Sequence, residues 1–149
     1  MSQPDEALDP RVSTFFYGSY INPAVLREVD LVPPRFEVAR LAGFDITIRP
    51  LANLVPCERS VVYGVLAEAT HAELDRLYAH ARDVLGGVYL PRPVLVETLD
   101  GRFRPALCYI AKELSGEAPS AAYVDRIVGP ARDHGFPDWY VERLRSFAR

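Results

Sequence analysis

Apolar positions follow two different periods along this chain. In some stretches they alternate with polar positions, which is typical of a half-buried strand; in others they recur every three or four residues, which is typical of an amphipathic helix. Strands are predicted within residues 12–20, which are rich in β-formers, within 35–50, where apolar and polar residues alternate, and within 59–69, a strongly apolar run; residues 88–111 hold a further pair of strands. The helical stretches are residues 22–29, 70–85, 120–135 and 136–149. Residues 51–56 follow neither period and are predicted to be irregular.

Capping residues and turn formers set the ends of several elements. Thr70 followed by Glu73 is a capping box, and two glycines at 86 and 87 end the same helix. The Asp100-Gly101 pair predicts a hairpin between two strands. The Gly129-Pro130 pair is expected to interrupt the helix over 120–135, because proline removes a helical hydrogen bond.

The order of these elements is β-α-β-β-α-β-β-α-α. Because the strands alternate and join through hairpins, a mostly antiparallel sheet is favoured over a doubly wound one. Glycines inside two strands, Gly43 and Gly64, suit bulges and strong curling. The sequence therefore predicts an α+β fold, a small curled, mixed β-barrel surrounded by helices. It also predicts a flexible tail over residues 1–11 and a single domain over 12–149.

Composition narrows the possible partners. The chain has 149 residues and a net charge of −3, and its single lysine is Lys112. No basic cluster interleaves with exposed aromatics, which argues against a nucleic-acid partner. No apolar run approaches the roughly 20 residues that cross a bilayer, and the acidic N-terminus lacks the features of a signal peptide. We therefore expect no membrane partner and a cytoplasmic location.

Metal and cofactor chemistry finds no support in the sequence. The two cysteines stand alone in apolar surroundings, and the three histidines are far apart. Clustered Cys and His ligands are the usual mark of a metal site. The prediction is therefore no metal site and no cofactor, with both cysteines reduced.

The first strand ends in an unusual turn, Tyr17-Gly18-Ser19-Tyr20, just before a helix start at Asn22-Pro23. A glycine there lets the backbone approach a ligand closely, and successive N–H groups at such a turn suit a carboxylate or amide oxygen. An ordinary strand-to-helix corner is the structural alternative.

The pattern aromatic-aromatic-Tyr-Gly-Ser resembles the N-terminal motif of the gamma-glutamyl cyclotransferase superfamily. Other stretches are similar to that family in the same order. They are "FEVARLAGF" with "ANLVP", "SVVYGVLAEAT", "HAELDRLY", "GVYLPRPVLVET" with "RPALCYIA", and "AAYVDRIVGPARDHGFPDWYVERL". The resemblance covers nearly everything from residue 13 to residue 147.

This resemblance implies a cleft in which the turn Tyr17, Gly18, Ser19 and Tyr20 binds the γ-glutamyl end of an amine or peptide, with Tyr89 as a lining residue. In the family, a glutamate takes a proton from the substrate α-amine. The amine then attacks its own γ-carbonyl, which closes 5-oxoproline and expels the other half. Such an enzyme would act as an acyl-transferring lyase on a small amino-acid-like substrate.

The family glutamate is missing from this chain. Counted forward from Leu74-Asp75, its position holds Tyr78; counted back from Tyr89, it holds Arg82, with Asp83 next to it. No glutamate occurs between residues 73 and 97.

Three side chains are therefore candidates for proton transfer: Tyr78, His80, whose ordinary pKa is near 6.5, and Asp83. Two other hypotheses stay open beside a cyclotransferase-like enzyme. One is a non-catalytic module that binds a small metabolite, and the other is a biosynthetic accessory enzyme with a changed reaction. The protein is expected to be a monomer or a homodimer.

Overall fold

The computed structural model describes residues 10–149. The predicted flexible tail over 1–11 lies almost entirely outside the described residues. Five strands are β1 (Arg11–Phe16), β2 (Glu37–Ile48), β3 (Ala52–Thr70), β4 (Tyr89–Thr98) and β5 (Phe103–Ala111). Four helices are α1 (Pro23–Arg27), α2 (His71–His80), α3 (Ala121–Asp133) and α4 (Asp138–Ser146). A 3₁₀ turn (Ser19–Ile21) precedes α1, and a π-helical turn (Ala81–Leu85) extends α2.

The five strands are hydrogen-bonded into a closed ring in the order β1-β3-β2-β4-β5. Every neighbouring pair is antiparallel except β1 and β5, which close the ring in parallel with Thr14 opposite Leu107. The pairing of β2 with β3 shifts register between Ala42 and Phe44, where Gly43 has a φ of 89°. The predicted α+β fold with a curled, mixed sheet and surrounding helices is confirmed.

The glycine in the middle of β3 is explained by a close approach of backbone. A Cβ on Gly64 would lie 2.3 Å from the carbonyl oxygen of Phe16 and 2.7 Å from the ring of Phe15. No side chain fits such a space, so Gly64 allows the end of β1 to pack tightly against β3. That contact fixes where the chain leaves β1 and enters the Tyr17–Tyr20 turn.

Two local predictions were wrong. Residues 52–56 are not irregular but form the first part of β3, where Asn53, Leu54 and Val55 pair with Thr47, Ile46 and Asp45 of β2. Their local pattern is weak for a strand, and pairing with a neighbouring strand overrides it.

The helix α3 also runs through Gly129-Pro130 without a break. A proline there frees the carbonyl of Arg126, four residues earlier. That carbonyl instead accepts a hydrogen bond from the side-chain Nδ2 of Asn22 at 3.0 Å. Because Asn22 also caps α1 through its Oδ1, which accepts from the N–H of Ala24 at 2.9 Å, the proline break becomes a link between α3 and the start of α1.

The predicted start of α2 is confirmed in atomic detail. The Thr70 hydroxyl accepts from the N–H of Glu73 at 3.1 Å, and the Glu73 carboxylate accepts from the N–H of Thr70 at 2.8 Å. The π-helical turn that follows ends at Gly86, which has a φ of 87°. A π-turn holds one more residue than an α-turn.

One core of apolar side chains fills the closed sheet and the space under the helices. Within residues 10–149, no helix is long and apolar enough to cross a membrane.

Candidate functional site

Within residues 10–149, two main-chain N–H groups of the Tyr17–Tyr20 turn have no acceptor inside the turn. The first hydrogen bond inside the turn runs from the N–H of Ile21 to the carbonyl of Gly18 at 3.1 Å. The N–H groups of Ser19 and Tyr20 precede it, and helix starts leave such groups without an internal acceptor. That these two N–H groups bind a ligand oxygen stays a prediction.

Helix α3 and strand β3 hold the turn in place. A ring nitrogen of His134, beyond the end of α3, donates to the carbonyl of Ile21 at 2.8 Å. A Cβ on Gly18 would lie 2.6 Å from the Cβ of Ala52. Gly18 has a negative φ of −108°, so its missing side chain serves contact with β3 and not a left-handed conformation.

A cavity, the inner cleft, opens between this turn, α2 and the strands β3, β4 and β5. It encloses about 30 Å³, which is room for about two water molecules. It is lined by Phe16, Tyr17, Gly18, Ser19, Tyr20, Leu51, Ala52, Tyr78, Ala81, Leu85, Tyr89, Tyr109 and Tyr123. Six of the chain's eight tyrosines therefore surround one small space.

Three of the six tyrosine hydroxyls donate to main-chain carbonyls. Tyr17 donates to the carbonyl of Tyr109 at 2.6 Å, Tyr20 donates to that of Leu77 at 3.2 Å, and Tyr89 donates to that of Ala52 at 2.5 Å. Each bond joins two different elements, so these rings are fixed in position. Their protons are also unavailable to a ligand while the bonds persist.

The hydroxyl of Tyr123 is held from the other side of Ala52. It accepts from the N–H of Ala52 at 3.0 Å. Burial raises the pKa of Tyr123, while this N–H and the nearby Ser19 hydroxyl lower the pKa again.

Ala52 is fixed in turn by its neighbour. The Asn53 side chain donates to the carbonyl of Ala111 and accepts from its N–H, each at 2.9 Å, and so ties the start of β3 to the end of β5.

Tyr78 lies on the wall of the inner cleft that faces the turn. Its ring stacks on Tyr109, with centroids 3.8 Å apart and planes 10° apart, and meets the edge of Tyr20 at 5.6 Å. Within residues 10–149, the hydroxyls of Tyr78 and Tyr109 make no hydrogen bond that meets ordinary geometric limits. Of Tyr78, Arg82 and Asp83, the three positions to which the missing glutamate could correspond, Tyr78 is the one that reaches the inner cleft.

Burial raises the pKa of Tyr78 well above its ordinary value of about 10. The hydroxyl therefore stays neutral at physiological pH, which is the opposite of what a general base requires. A neutral hydroxyl can still accept one proton while it donates another.

The other two sequence candidates lie outside the inner cleft. His80 lines a side cavity of about 100 Å³ behind Ser19 and Tyr123, and its buried Nδ1 has no partner within residues 10–149. Asp83 projects from the π-helical turn into solvent and pairs with Arg82 at 2.9 Å. That hydrogen bond lowers the pKa of Asp83. The three candidates are thus separated, because successive residues of a helix face different directions.

A larger space, the outer cavity, lies on the far side of Tyr78. It encloses about 350 Å³ and shares Tyr78, Tyr89 and Tyr109 with the inner cleft. Its other lining residues are Leu74, Asp75, Ala79, Arg82, Val88, Leu90 and Pro91. The three shared rings form the partition between the two spaces.

Sequence reasoning missed Tyr109 and Tyr123. Tyr109 reaches the site because β5 pairs with β4 so that it lies opposite Pro91. Tyr123 reaches it because α3 crosses the turn. In both cases the sequence shows only an aromatic residue on an apolar face, and no local signal marks either one.

Charged groups are kept away from the inner cleft. In the part of the chain that the structure describes, none of its lining side chains is acidic or basic. Among residues 10–149 there is also no group of three His, Cys, Asp or Glu side chains that could hold a metal ion.

Comparison with known proteins agrees with this architecture. Residues 61–144 match the profile of a family described as AIG2-like. A search of curated proteins found no sequence match. Among solved structures, an uncharacterized human protein superposes with a TM-score of 0.75 at 22% identity, covering 91% of this chain and 87% of that one.

A gamma-glutamyl cyclotransferase superposes with a TM-score of 0.74 at 24% identity, covering 92% and 88% of the two chains. A yeast gamma-glutamyl cyclotransferase specific to glutathione gives 0.64 at 13% identity, covering 93% and 95%. The resemblance inferred from the sequence motifs is therefore confirmed for the fold.

Proposed function

The chain belongs to the AIG2-like family, and from that premise we propose that it binds a γ-glutamyl amine or a related acyl amine and closes it to 5-oxoproline. The observation that supports the proposal is that the residues of the Tyr17–Tyr20 turn line the same small cleft as Tyr78 and Tyr89, and that the N–H groups of Ser19 and Tyr20 precede the first hydrogen bond of the turn. Donors for a carbonyl oxygen and a hydroxyl for proton transfer thus meet at one place.

The reaction needs a neutral amine, a polarised carbonyl and a path for one proton. An α-amino group at a chain terminus has a pKa of roughly 7.7–8.0. In a γ-glutamyl amine the neighbouring α-carboxylate raises this pKa, so the neutral amine is the minor form at about pH 7 and its fraction grows toward about pH 9. A cleft without charged side chains favours that neutral form, since burial opposes the ammonium ion. The cleft therefore selects the reactive form of the substrate and does not generate it.

The bond changes follow from that arrangement. The α-nitrogen attacks the γ-carbonyl carbon, a new C–N bond closes the five-membered ring, and the bond to the other amine breaks. The N–H groups of Ser19 and Tyr20 stabilise the carbonyl oxygen as it gains negative charge. The Tyr78 hydroxyl accepts the proton from the attacking nitrogen and donates its own to the leaving nitrogen. Attack within one molecule gives a high effective concentration once the chain is held curled.

A second candidate is a non-catalytic module that binds an amino-acid-like metabolite in the same cleft. It is favoured by the absence of any acidic or basic side chain from the inner cleft across residues 10–149. A well-placed base or acid contributes roughly 10²–10⁴ in rate, so its loss is compatible with binding that is retained without turnover.

The test is to incubate the purified protein with a panel of γ-glutamyl amines at pH 7 to 9 and to measure 5-oxoproline by chromatography. Turnover that rises with the neutral fraction of the substrate amine supports the enzyme. No turnover together with saturable thermal stabilisation supports the binding module. If neither is seen across the panel, both proposals are wrong.

A further inference from the structure

We infer that the outer cavity is the subsite for the amine half of the ligand, and that it favours an aliphatic amine carrying a second positive charge. This inference rests on the proposed function for the identity of the other half. It adds a ligand class that neither the fold nor the Tyr17–Tyr20 turn specifies.

The two spaces have the sizes and the contact that a two-part ligand needs. The inner cleft holds about 30 Å³ and the outer cavity about 350 Å³, and Tyr78, Tyr89 and Tyr109 line both. A γ-glutamyl group that reaches the turn would direct its amide nitrogen toward the partition. The amine half would then extend past the partition into the larger space.

The partition can open at two rings. Tyr89 is anchored to the carbonyl of Ala52 at 2.5 Å. Tyr78 and Tyr109 instead stack on one another, with no hydroxyl anchor within residues 10–149. The stack is worth only about 0.5–1.5 kcal/mol beyond the area it buries. Rotation of Tyr78 would exchange its ring contacts with Tyr20, Tyr89 and Tyr109 for contacts with a ligand. It would also join the two spaces and give the inner cleft the volume that it lacks.

The apolar walls of the outer cavity suit an aliphatic chain. Val88 and Leu90 are 56% and 57% exposed, and Pro91 and the buried Leu74 line the same space. Large exposed aliphatic side chains beside a cavity are more informative than single ones scattered on a surface.

The charge of the outer cavity suits a cation. Asp75 and Arg82 both line it. The Arg82 guanidinium already makes two hydrogen bonds to Asp83, at 2.9 and 3.3 Å. Asp75 has no ion pair in the described part of the chain, and its charge adds to burial in raising the pKa of Tyr109. The free charge that faces the cavity is therefore negative.

The experiment compares two ligands of matched length, the γ-glutamyl amides of diaminobutane and of pentylamine. They differ in one terminal ammonium. Affinity is measured as KM where 5-oxoproline forms and as Kd by titration calorimetry where it does not. We expect the wild type to bind the diamine conjugate about threefold to fivefold more tightly, which is typical of one exposed charge pair.

Asp75→Asn should remove that preference and leave the affinity for the pentylamine conjugate unchanged. Asp125→Asn is the matched control, because Asp125 is exposed on α3 and lines none of the three cavities described above. Leu90→Trp, at an exposed position, should weaken both conjugates but not free glutamate, because it fills the outer cavity alone.

Equal binding of the two conjugates by the wild type would overturn the inference, as would an equal effect of Asp75→Asn on both or no binding of either. A clear preference without 5-oxoproline would retain the outer subsite and reject the cyclotransferase proposal. The two failures are therefore distinguishable.

Discussion

Two groups of aromatic residues in this protein have opposite structural consequences. The tyrosines of the inner cleft surround a space, whereas Tyr63, Phe136, Trp139 and Tyr140, which we term the C-terminal cluster, fill theirs. In the C-terminal cluster the rings of Tyr63 and Tyr140 lie 5.2 Å apart, and Tyr140 is 1% exposed. Its rings pack mainly edge to face, an arrangement that aromatic pairs prefer.

The difference lies in what holds the rings. In the inner cleft, the hydroxyls of Tyr17, Tyr20 and Tyr89 are held by carbonyls on β5, α2 and β3. Rings fixed at their outer ends keep their positions around a hollow. In the C-terminal cluster, ring contacts decide the arrangement, and the rings close on one another. Aromatic content alone therefore does not show whether rings enclose a space. In this protein, the rings that do so have hydroxyls anchored to different elements.

Loss of a ring from the C-terminal cluster is expected to have the largest effect. Tyr140→Ala should lower the free energy of unfolding by about 3–5 kcal/mol, the usual cost of a large aromatic cavity. Urea denaturation would measure this, and ligand binding by the folded fraction should be unchanged. A loss of less than about 1 kcal/mol would mean that the C-terminal cluster does not behave as a packed core.

Removal of one tyrosine hydroxyl from the inner cleft should reduce turnover, whereas removal of one from the C-terminal cluster should not. Tyr78→Phe should reduce 5-oxoproline formation about 100-fold, because the proton path between the two nitrogens is lost. The stack on Tyr109 would remain, so the melting temperature should change little. The control is Tyr140→Phe, which also removes a hydroxyl and keeps its ring contacts. If the control reduces turnover as much as Tyr78→Phe does, Tyr78 has no special role.

Alkaline pH should lower the free energy of unfolding through the buried thiol of Cys108. Burial raises the pKa of the Cys108 thiol to about 12, against about 8.5 in an unfolded chain. The neutral thiol is present in both states below pH ~8.5, so no stability is lost there. Above about pH 8.5, the Cys108 thiol ionises in the unfolded chain but stays neutral in the folded one. The free energy of unfolding therefore falls by about 1.4 kcal/mol per pH unit. Tyrosines add to the loss only above about pH 10.

Urea denaturation at several pH values between 8 and 10 would measure this slope. Cys108→Ala should flatten it. Cys57→Ala is the matched control, in which the loss persists because Cys108 remains. A wild-type stability that is constant from pH 8 to pH 10 would contradict the burial of the thiol.

The sequence predicted the features that depend on local chemistry. The capping box at Thr70, the hairpin at Asp100-Gly101 and the bulge at Gly43 each need only neighbouring residues, and all three are present. The overall architecture followed from the order of the elements and from motif resemblance.

Features that depend on distant partners were not predictable. Pro130 lies inside a helix because Asn22, far away in sequence, satisfies the carbonyl that the proline frees. Tyr109 and Tyr123 join the site through strand register and helix crossing. Which of Tyr78, His80 and Asp83 lines the inner cleft depends on the rotational position of α2 and on the π-helical turn that follows it, and neither can be read from the local sequence.

The smallest effect on stability and turnover is expected for a change at Asp83, which belongs to neither aromatic group. Its carboxylate is 64% exposed and lines none of the three cavities, and among residues 10–149 it bonds only to Arg82. Exposed ion pairs contribute little because water screens them, so Asp83→Asn should leave both the melting temperature and ligand affinity nearly unchanged. Turnover with γ-glutamyl amines should stay within about twofold of wild type, because a group outside the cleft supplies none of its chemistry. A hundredfold loss would mean that the π-helical turn rearranges on binding and brings Asp83 into the inner cleft, where it would take the place of the missing glutamate in proton transfer.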